Sequence, residues 1–295
     1  MIIYMNGRFL EEKQASISVY DHGFMYGMGL FETMRTYNGV PFLWERHLER
    51  LRGDCRRLSI AWTANSGELL EAVRELLFRN RLTDAYLRLS VSAGSRDIGL
   101  PELPYEEPNL ILYIKKLPAE ARSLEAASRH LQRLKLCRNT PESGRRMKSF
   151  HYMNNILAKR ELVGYAWAAG AEGLFLDARG YVAEGMVTNL FFVHHETIYT
   201  PHLDTGILPG ITRQLIMELV EQQGWRMEEG YYTWEQLQRA DEIFLTNSVQ
   251  GIVPVVCLWD TDGQDTRIGT GKPGKITRGL FEQYQTVVRE FCQHV

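Results

Sequence analysis

The sequence predicts an α+β protein of two domains, with mixed, mostly antiparallel sheets and flanking helices. Two asparagine-glycine pairs, Asn6-Gly7 and Asn38-Gly39, each separate short apolar runs, the pattern of a tight β-hairpin. A long stretch, "EGLFLDARGYVAEGMVTNLFFVHHETIYTP", reads as successive strands with turns at Ala178-Arg179-Gly180 and His195-Glu196. A polar, proline-led stretch at 118–123, "PAEARS", divides a smaller N-terminal domain (1–117) from a larger C-terminal one (124–295).

Each element follows from its local pattern. "IIYMNGRFLE" gives two strands around Asn6-Gly7, and "LFETMRTYNGVPFLW" repeats the device. Between them, "SVYDHGFMYGMGLF" places Gly23, Gly27 and Gly29 in an aromatic stretch, which predicts close backbone approach to another chain or a ligand. "WERHLERLRGDCRRLSI" sets Leu48, Leu51, Cys55 and Leu58 on one helical face. "SGELLEAVRELLFRNRL" is a second helix, capped by Asn65 or Ser66. "AYLRLSVSAG" and "NLILYIKKL" are strands. In the second half, "LQRLKLCRNT" reads as a strand and "NNILAKRELVGYAWAAG" as a helix. "LPGITRQLIMELVEQQGW" is a helix opened by Pro209-Gly210. "DEIFLTNSVQGIVPVVCLWD" is strand, turn, strand, and "KPGKITRGLFEQYQTVVREFCQ" closes the chain as a helix.

Composition removes several function classes. The formal net charge is -2, with both signs mixed, so no basic patch favours nucleic acid or an anionic membrane. Cys55, Cys137, Cys257 and Cys292 form no CxxC pair, which argues for free thiols in a reducing compartment rather than a zinc or redox site. The N-terminus lacks a signal-peptide apolar region and no apolar run reaches membrane-spanning length. These features predict a soluble cytoplasmic protein with no metal.

Two motifs are decoys. "GTGKPGKIT" nearly fits the phosphate-loop pattern, but Ile276 stands where a hydroxyl must meet magnesium, so a glycine-rich helix entry is expected. His194 and His195 are adjacent; on a strand they would take opposite faces and could not easily share an ion, so a histidine pair at a turn is expected.

Three other features carry chemistry. The start of "LPGITR" leaves the amides of Ile211 and Thr212 without intrahelical acceptors, beside the Thr212 hydroxyl, which suits a phosphate. Glu184 in "YVAEGMVTNLF" reads either as an exposed strand glutamate or as a carboxylate buried against a cation. Lys148 in "RRMKSFHYMNN" follows Arg145 and Arg146; cationic neighbours and partial burial favour the neutral amine that Schiff-base chemistry needs. A neutral lysine, a phosphate-holding helix start and a carboxylate for a pyridinium nitrogen are together the requirements of pyridoxal 5'-phosphate.

The motifs "DHGFMYGMGLFETMRTYNG", "HLERL", "RMKSFHYMNNILAKRE", "EGMVTNLFF", "YTPHLDTGILPGITR" and "TNSVQGIVPV" occur in that order. Through them the chain resembles the class IV aminotransferases, the fold-type IV enzymes that include D-amino-acid aminotransferase. The resemblance implies a pyridoxal phosphate enzyme acting as a homodimer on a small molecule, with its active site near the domain junction. It implies that Lys148 is the covalent anchor and proton carrier. Arg50 and Ser248 join Ile211 and Thr212 at the phosphate, and Glu184 pairs with the pyridine nitrogen.

Within the family, "CRNTPE", "KSFHYMNNILAKRE" and "TNSVQGIVPV" are most similar to the 4-amino-4-deoxychorismate lyases of Gram-positive bacteria, which make 4-aminobenzoate for folate. D-amino-acid and branched-chain aminotransferases are the alternatives. The first carry an Arg-x-His pair where this chain reads "GSRDIGLPE". The second carry a Gly-Thr-Ala-like run where this chain has Asn247-Ser248-Val249, and a tyrosine where it has Met153 beside Tyr152. Tyr26 and Tyr152 are candidate pocket residues, and Arg35, Arg96, Arg145 and Arg146 are candidates for the substrate's two carboxylates.

Overall fold

The computed structural model describes every residue except Ala64, Glu120, His294 and Val295, so one position of the expected linker, Glu120, lies outside the described residues. The chain forms two compact units that divide after Ala119, within that linker. The first unit comprises Met1–Ala119, Met147–His151 and the chain from Val288. The second comprises the rest.

In the first unit the elements are β1 (Ile2–Met5), β2 (Arg8–Glu11), α1 (His22–Tyr26), β3 (Gly29–Tyr37), β4 (Val40–Pro41), α2 (Trp44–Arg57), α3 (Ser66–Asn80), β5 (Ala85–Ser92) and β6 (Asn109–Lys116). The sheet runs β2-β1-β6-β5-β3-β4, and each pairing is antiparallel. Both Asn-Gly turns have positive φ at each position, 47° and 83° at Asn6-Gly7 and 51° and 78° at Asn38-Gly39, which only such pairs adopt cheaply. Leu48, Leu51 and Cys55 of α2 join Leu69, Val73 and Leu76 of α3 in the core with Met34, Leu87, Leu89 and Leu112 of the sheet. Asn65 is the α3 cap, accepting the Gly67 N–H at 2.9 Å.

The lysine segment, expected in the C-terminal domain, belongs to this first unit. Backbone hydrogen bonds are the reason. Phe31 N–H donates to the Lys148 carbonyl at 2.8 Å, and Phe150 N–H donates to the Gly29 carbonyl at 2.9 Å. β4 pairs only with Thr36 and Tyr37, so the earlier part of that β3 edge is open to the segment, which forms an antiparallel bridge from Ser149 to Leu30.

This pairing also accounts for two of the glycines. A Cβ on Gly29 would stand 2.3 Å from the Phe150 ring, and one on Gly27, at φ 72°, 2.4 Å from the His151 ring. The close approach expected there is met within the chain, by the segment that carries Lys148, and requires neither a second protomer nor a ligand. Gly29→Ala is expected to displace Phe150 and destabilise the protein by about 1–3 kcal/mol. A fall in the urea midpoint at constant slope is the measurement; an unchanged midpoint contradicts this packing.

The second unit holds α4 (Leu124–Ala127), β7 (Arg129–Arg133), α5 (Met153–Val163), β8 (Glu172–Leu176), β9 (Val182–Gly185), β10 (Asn189–His194), β11 (Thr197–Pro201), α6 (Ile211–Gln222), β12 (Met227–Gly230), α7 (Trp234–Gln238), β13 (Glu242–Asn247), β14 (Gly251–Trp259), β15 (Asp265–Arg267) and α8 (Lys275–Gln293), the last ending in the first unit. The sheet order is β12-β11-β10-β13-β14-β7-β8-β9, with β15 on β14. The pairs β11–β12, β7–β14 and β7–β8 are parallel, the others antiparallel. The strand expected over "LQRLKLCRNT" is shorter and starts earlier. Beyond Arg133 the chain keeps only isolated backbone bonds, from Leu134 to Leu174 and from Arg138 to Leu176. Among the described residues no helix is long and apolar enough to cross a membrane.

Candidate active site

On β3, alternate side chains take opposite faces. Leu30, Glu32 and Met34 share the core face, while Phe31 takes the other. Lys148, half-buried, holds its Nζ 4.7 Å from the centre of the Phe31 ring. Arg88 of β5 places its guanidinium carbon 3.6 Å from the same ring, and its Nε donates to Ser90 Oγ at 3.2 Å. Two basic side chains thus share one aromatic ring. Arg88 was not among the arginines singled out from the sequence.

Behind this, on the core face, lies a buried ionic group. Glu32 Oε1 accepts Arg50 Nε and Glu32 Oε2 accepts Arg50 Nη2, both at 2.7 Å, while His47 Nδ1 lies 2.6 Å from Oε2. Side-chain exposure is 1% for Glu32 and His47 and 6% for Arg50. Burial alone would raise the Glu32 pKa, but the Arg50 charge and then His47 hold it down, from 4.5 to about 2. Burial, Arg50 and Lys148 push the His47 pKa down against the pull of Glu32.

Both shifts make the unfolded chain the stronger proton binder, so stability rises with pH through these windows. The Glu32 contribution is complete above its unfolded value of 4.5 and is lost as pH falls toward about 2. The His47 loss begins as pH falls below its ordinary 6.5. Unfolding free energy measured from pH 7 to pH 2 is expected to fall along both limbs, and Glu32→Gln to flatten the lower one. An acid limb unchanged by Glu32→Gln contradicts the assignment.

The second unit carries the other half of the expected constellation. Glu184, on β9 and 5% exposed, accepts Arg138 Nε at 2.8 Å, the Leu208 backbone N–H at 2.9 Å and Asn189 Nδ2 at 3.3 Å. It is therefore a buried carboxylate with a cationic partner. Arg138 is steadied in turn by Asn154 Oδ1 at 2.7 Å and Asn155 Oδ1 at 3.3 Å. Asn189 also donates to the Leu208 carbonyl at 2.8 Å, which ties Glu184 to the turn that opens α6.

At that turn Gly210 is the N-cap, with no side-chain cap, and a Cβ on it would meet Asn189 Oδ1 at 2.1 Å. The first amides of α6 therefore lack a protein side-chain acceptor at the cap. Thr212 Oγ1 and Ser248 Oγ meet there, 3.3 Å apart. Thr246, opposite Asn189 in the β10–β13 register and so on the same face, has a buried hydroxyl with no hydrogen-bond partner among the described residues. One carboxylate, two converging hydroxyls and a helix start suit a pyridine nitrogen and a phosphate, so these residues fit pyridoxal phosphate.

The structure thus brings Glu184, Ile211, Thr212 and Ser248 together in one unit, and Lys148 and Arg50 in the other. Tyr26 is partly exposed and its hydroxyl accepts the Gly99 N–H at 3.1 Å. Arg96 gives Nη2 to the Pro104 carbonyl at 2.6 Å. Tyr152 is the residue before α5. Arg145 is exposed, and Arg35 lies over the Tyr37 ring at 4.2 Å. Arg146 is buried and donates to the Gly206 and Asn139 carbonyls; burial and Arg138 lower its pKa to about 10, leaving it charged at neutral pH.

Both decoys are resolved. The amides of Ile276 and Thr277 at the start of α8 donate to the Glu242 carboxylate at 3.1 and 2.7 Å, so an anion already occupies that helix entry. The rings of His194 and His195 are 4.0 Å apart, the expected pair at a turn, where His195 has φ 47°. No group of three or more His, Cys, Asp or Glu side chains that could hold a metal occurs among the described residues.

Comparison with known proteins agrees with this geometry. The family model described as amino-transferase class IV matches residues 29–257. The aminodeoxychorismate lyase of Bacillus subtilis is 43% identical over 255 residues, covering 86% of this chain and 85% of its own. A Methanocaldococcus jannaschii protein, provisionally named a branched-chain-amino-acid aminotransferase, is 34% identical over 289 residues, covering 97% and 96%. Among solved structures, a T.th. branched-chain amino acid aminotransferase complexed with N-(5'-phosphopyridoxyl)-L-glutamate superposes with a TM-score of 0.82 at 29% identity, covering 96% of this chain and 92% of that one. An α+β fold with Glu184 tied to a phosphate-suited helix start, matched along nearly the whole chain by these relatives, places the protein in the class IV aminotransferase family.

Proposed function

We propose that the protein is a lyase that converts 4-amino-4-deoxychorismate to 4-aminobenzoate and pyruvate, using pyridoxal 5'-phosphate. The observation that carries the reading is the 43% identity to the Bacillus subtilis lyase, against 34% for the Methanocaldococcus jannaschii protein and 28% for D-alanine aminotransferase of Bacillus licheniformis. Arg88 beside Lys148 supports it, because the substrate brings two carboxylates to the neighbourhood of the amine.

When bound, the cofactor supplies an electron sink for negative charge at the amine-bearing carbon. Lys148 would hold the cofactor's aldehyde end through Nζ, and the same amine would serve as the base that moves the proton at that carbon. Glu184 would pair with the pyridine nitrogen, and Arg138 holds the Glu184 carboxylate in place by donating Nε to it at 2.8 Å. The α6 amides with Thr212 and Ser248 would hold the phosphate, a role for which the family resemblance also singles out Arg50. Loss of the enolpyruvyl group makes the ring aromatic and drives the reaction, so the protein mainly positions and polarises.

A cytoplasmic homodimer completes the reading. Val19, Tyr20, Phe24, Ile98 and Leu100 are exposed in the first unit, apolar surface that a second protomer would cover. A monomeric mass with full activity would refute the dimer. For the reaction itself, the purified protein is expected to release 4-aminobenzoate and pyruvate in equal amounts from aminodeoxychorismate. Transfer of amino groups from common amino acids at a higher kcat/KM instead favours the aminotransferase alternative.

A further inference from the structure

We propose that Glu32 and His47 act as a positioning pair that sets the Arg50 guanidinium for the cofactor's phosphate, an inference that rests on the reading just given. Glu32 stands between Leu30 and Met34 on the core face of β3, both essentially fully buried. A buried ion pair is seldom the most stabilising choice at such a place, since well-packed apolar residues usually do as well or better. What it supplies is orientation.

Arg50 uses two donors, Nε and Nη2, on two separate oxygens of one carboxylate, both at 2.7 Å. That fork fixes the plane of the guanidinium as well as its place. The carboxylate could still rotate about its own bond. His47 opposes this by engaging Oε2 at 2.6 Å, the oxygen that also receives Arg50 Nη2. Because an ionised carboxylate only accepts, the proton on this bond belongs to His47 Nδ1. His47 and Arg50 are three residues apart on α2 and share a face, so one helix turn presents both to Glu32. The group also lies within electrostatic reach of Lys148. The lysine that would hold the aldehyde end of the cofactor and an arginine aimed by a carboxylate thus stand in one compact unit.

The test compares binding of pyridoxal 5'-phosphate and of pyridoxal, which lacks the phosphate, to the cofactor-free full chain. Dissociation constants come from absorbance titration, so the readout does not depend on turnover. Glu32→Gln is expected to weaken pyridoxal phosphate by about tenfold or more while leaving pyridoxal within about twofold, and Arg50→Met to do the same. His47→Asn retains a donor near the Nδ1 position and is expected to keep the phosphate preference; His47→Leu is expected to lose it. This pair decides the matter if Glu32→Gln does not fold. Equal weakening of both ligands, or no change in either, overturns the positioning role and leaves the cofactor reading intact. A wild-type protein that binds no pyridoxal phosphate overturns both.

Discussion

Lys148→Ala is expected to abolish turnover, lowering kcat by about four orders of magnitude or more, the upper range for a lost general base. It is also expected to remove the visible absorbance of the lysine-linked cofactor. The fold should survive. The hydrogen bond that holds this segment to β3 runs from Phe31 N–H to the Lys148 carbonyl, which alanine retains. The side chain's place over the Phe31 ring is worth about 0.5–1 kcal/mol at a partly exposed site. A small loss of stability beside a very large loss of activity is the signature of a chemical rather than a structural lysine. An unchanged visible spectrum would sink the assignment.

Glu184→Gln carries the second large effect, with a loss of stability beside the loss of activity. Glutamine preserves shape and can still accept from the Leu208 N–H. It removes the charge that answers Arg138 at 2.8 Å, in a place only 5% exposed. Arg138 keeps the oxygens of Asn154 and Asn155, so the cost in stability is about 1–3 kcal/mol rather than that of a stranded charge. Turnover is expected to fall by about 100- to 1000-fold, since the electron sink works best with a protonated ring nitrogen. Single-turnover measurements of the proton-abstraction step check this. A variant with wild-type turnover returns Glu184 to a structural role.

Much of the fold was legible because its signals are local. Asn-Gly pairs dictate turns by their tolerance of positive φ, and the α2 and α3 faces show in a 3.6-residue period. The parallel strands were not legible. β12, "MEEG", is polar and short, and only its alignment with β11 makes it a strand. The placement of Lys148 was misread for a related reason. Its segment has no strand pattern of its own and is recruited by the open edge of β3, a partner more than 100 residues away.

The site divides the same way. Ile211 and Thr212 were readable from Pro209-Gly210, because a helix start advertises its unpaired amides. Glu184 alone was ambiguous: Arg138 and Asn189 fall inside the quoted motifs "CRNTPE" and "EGMVTNLFF", but nothing local marks either as its partner. Glu32 is the clearest omission. An alternating strand with a glutamate at a core-facing position breaks the apolar pattern, and that break was the available clue, but its partners lie on a later helix. Arg88 was likewise visible only as one arginine in an apolar strand.

The most direct test of the central claim is the number of turnovers the enzyme completes with aminodeoxychorismate when no 2-oxo acid is present. A lyase regenerates its cofactor in every cycle, so the count should run far beyond the enzyme concentration, with pyruvate and 4-aminobenzoate rising together. A reaction that stops after one equivalent, with the cofactor left in its aminated form, would contradict the lyase and identify an aminotransferase.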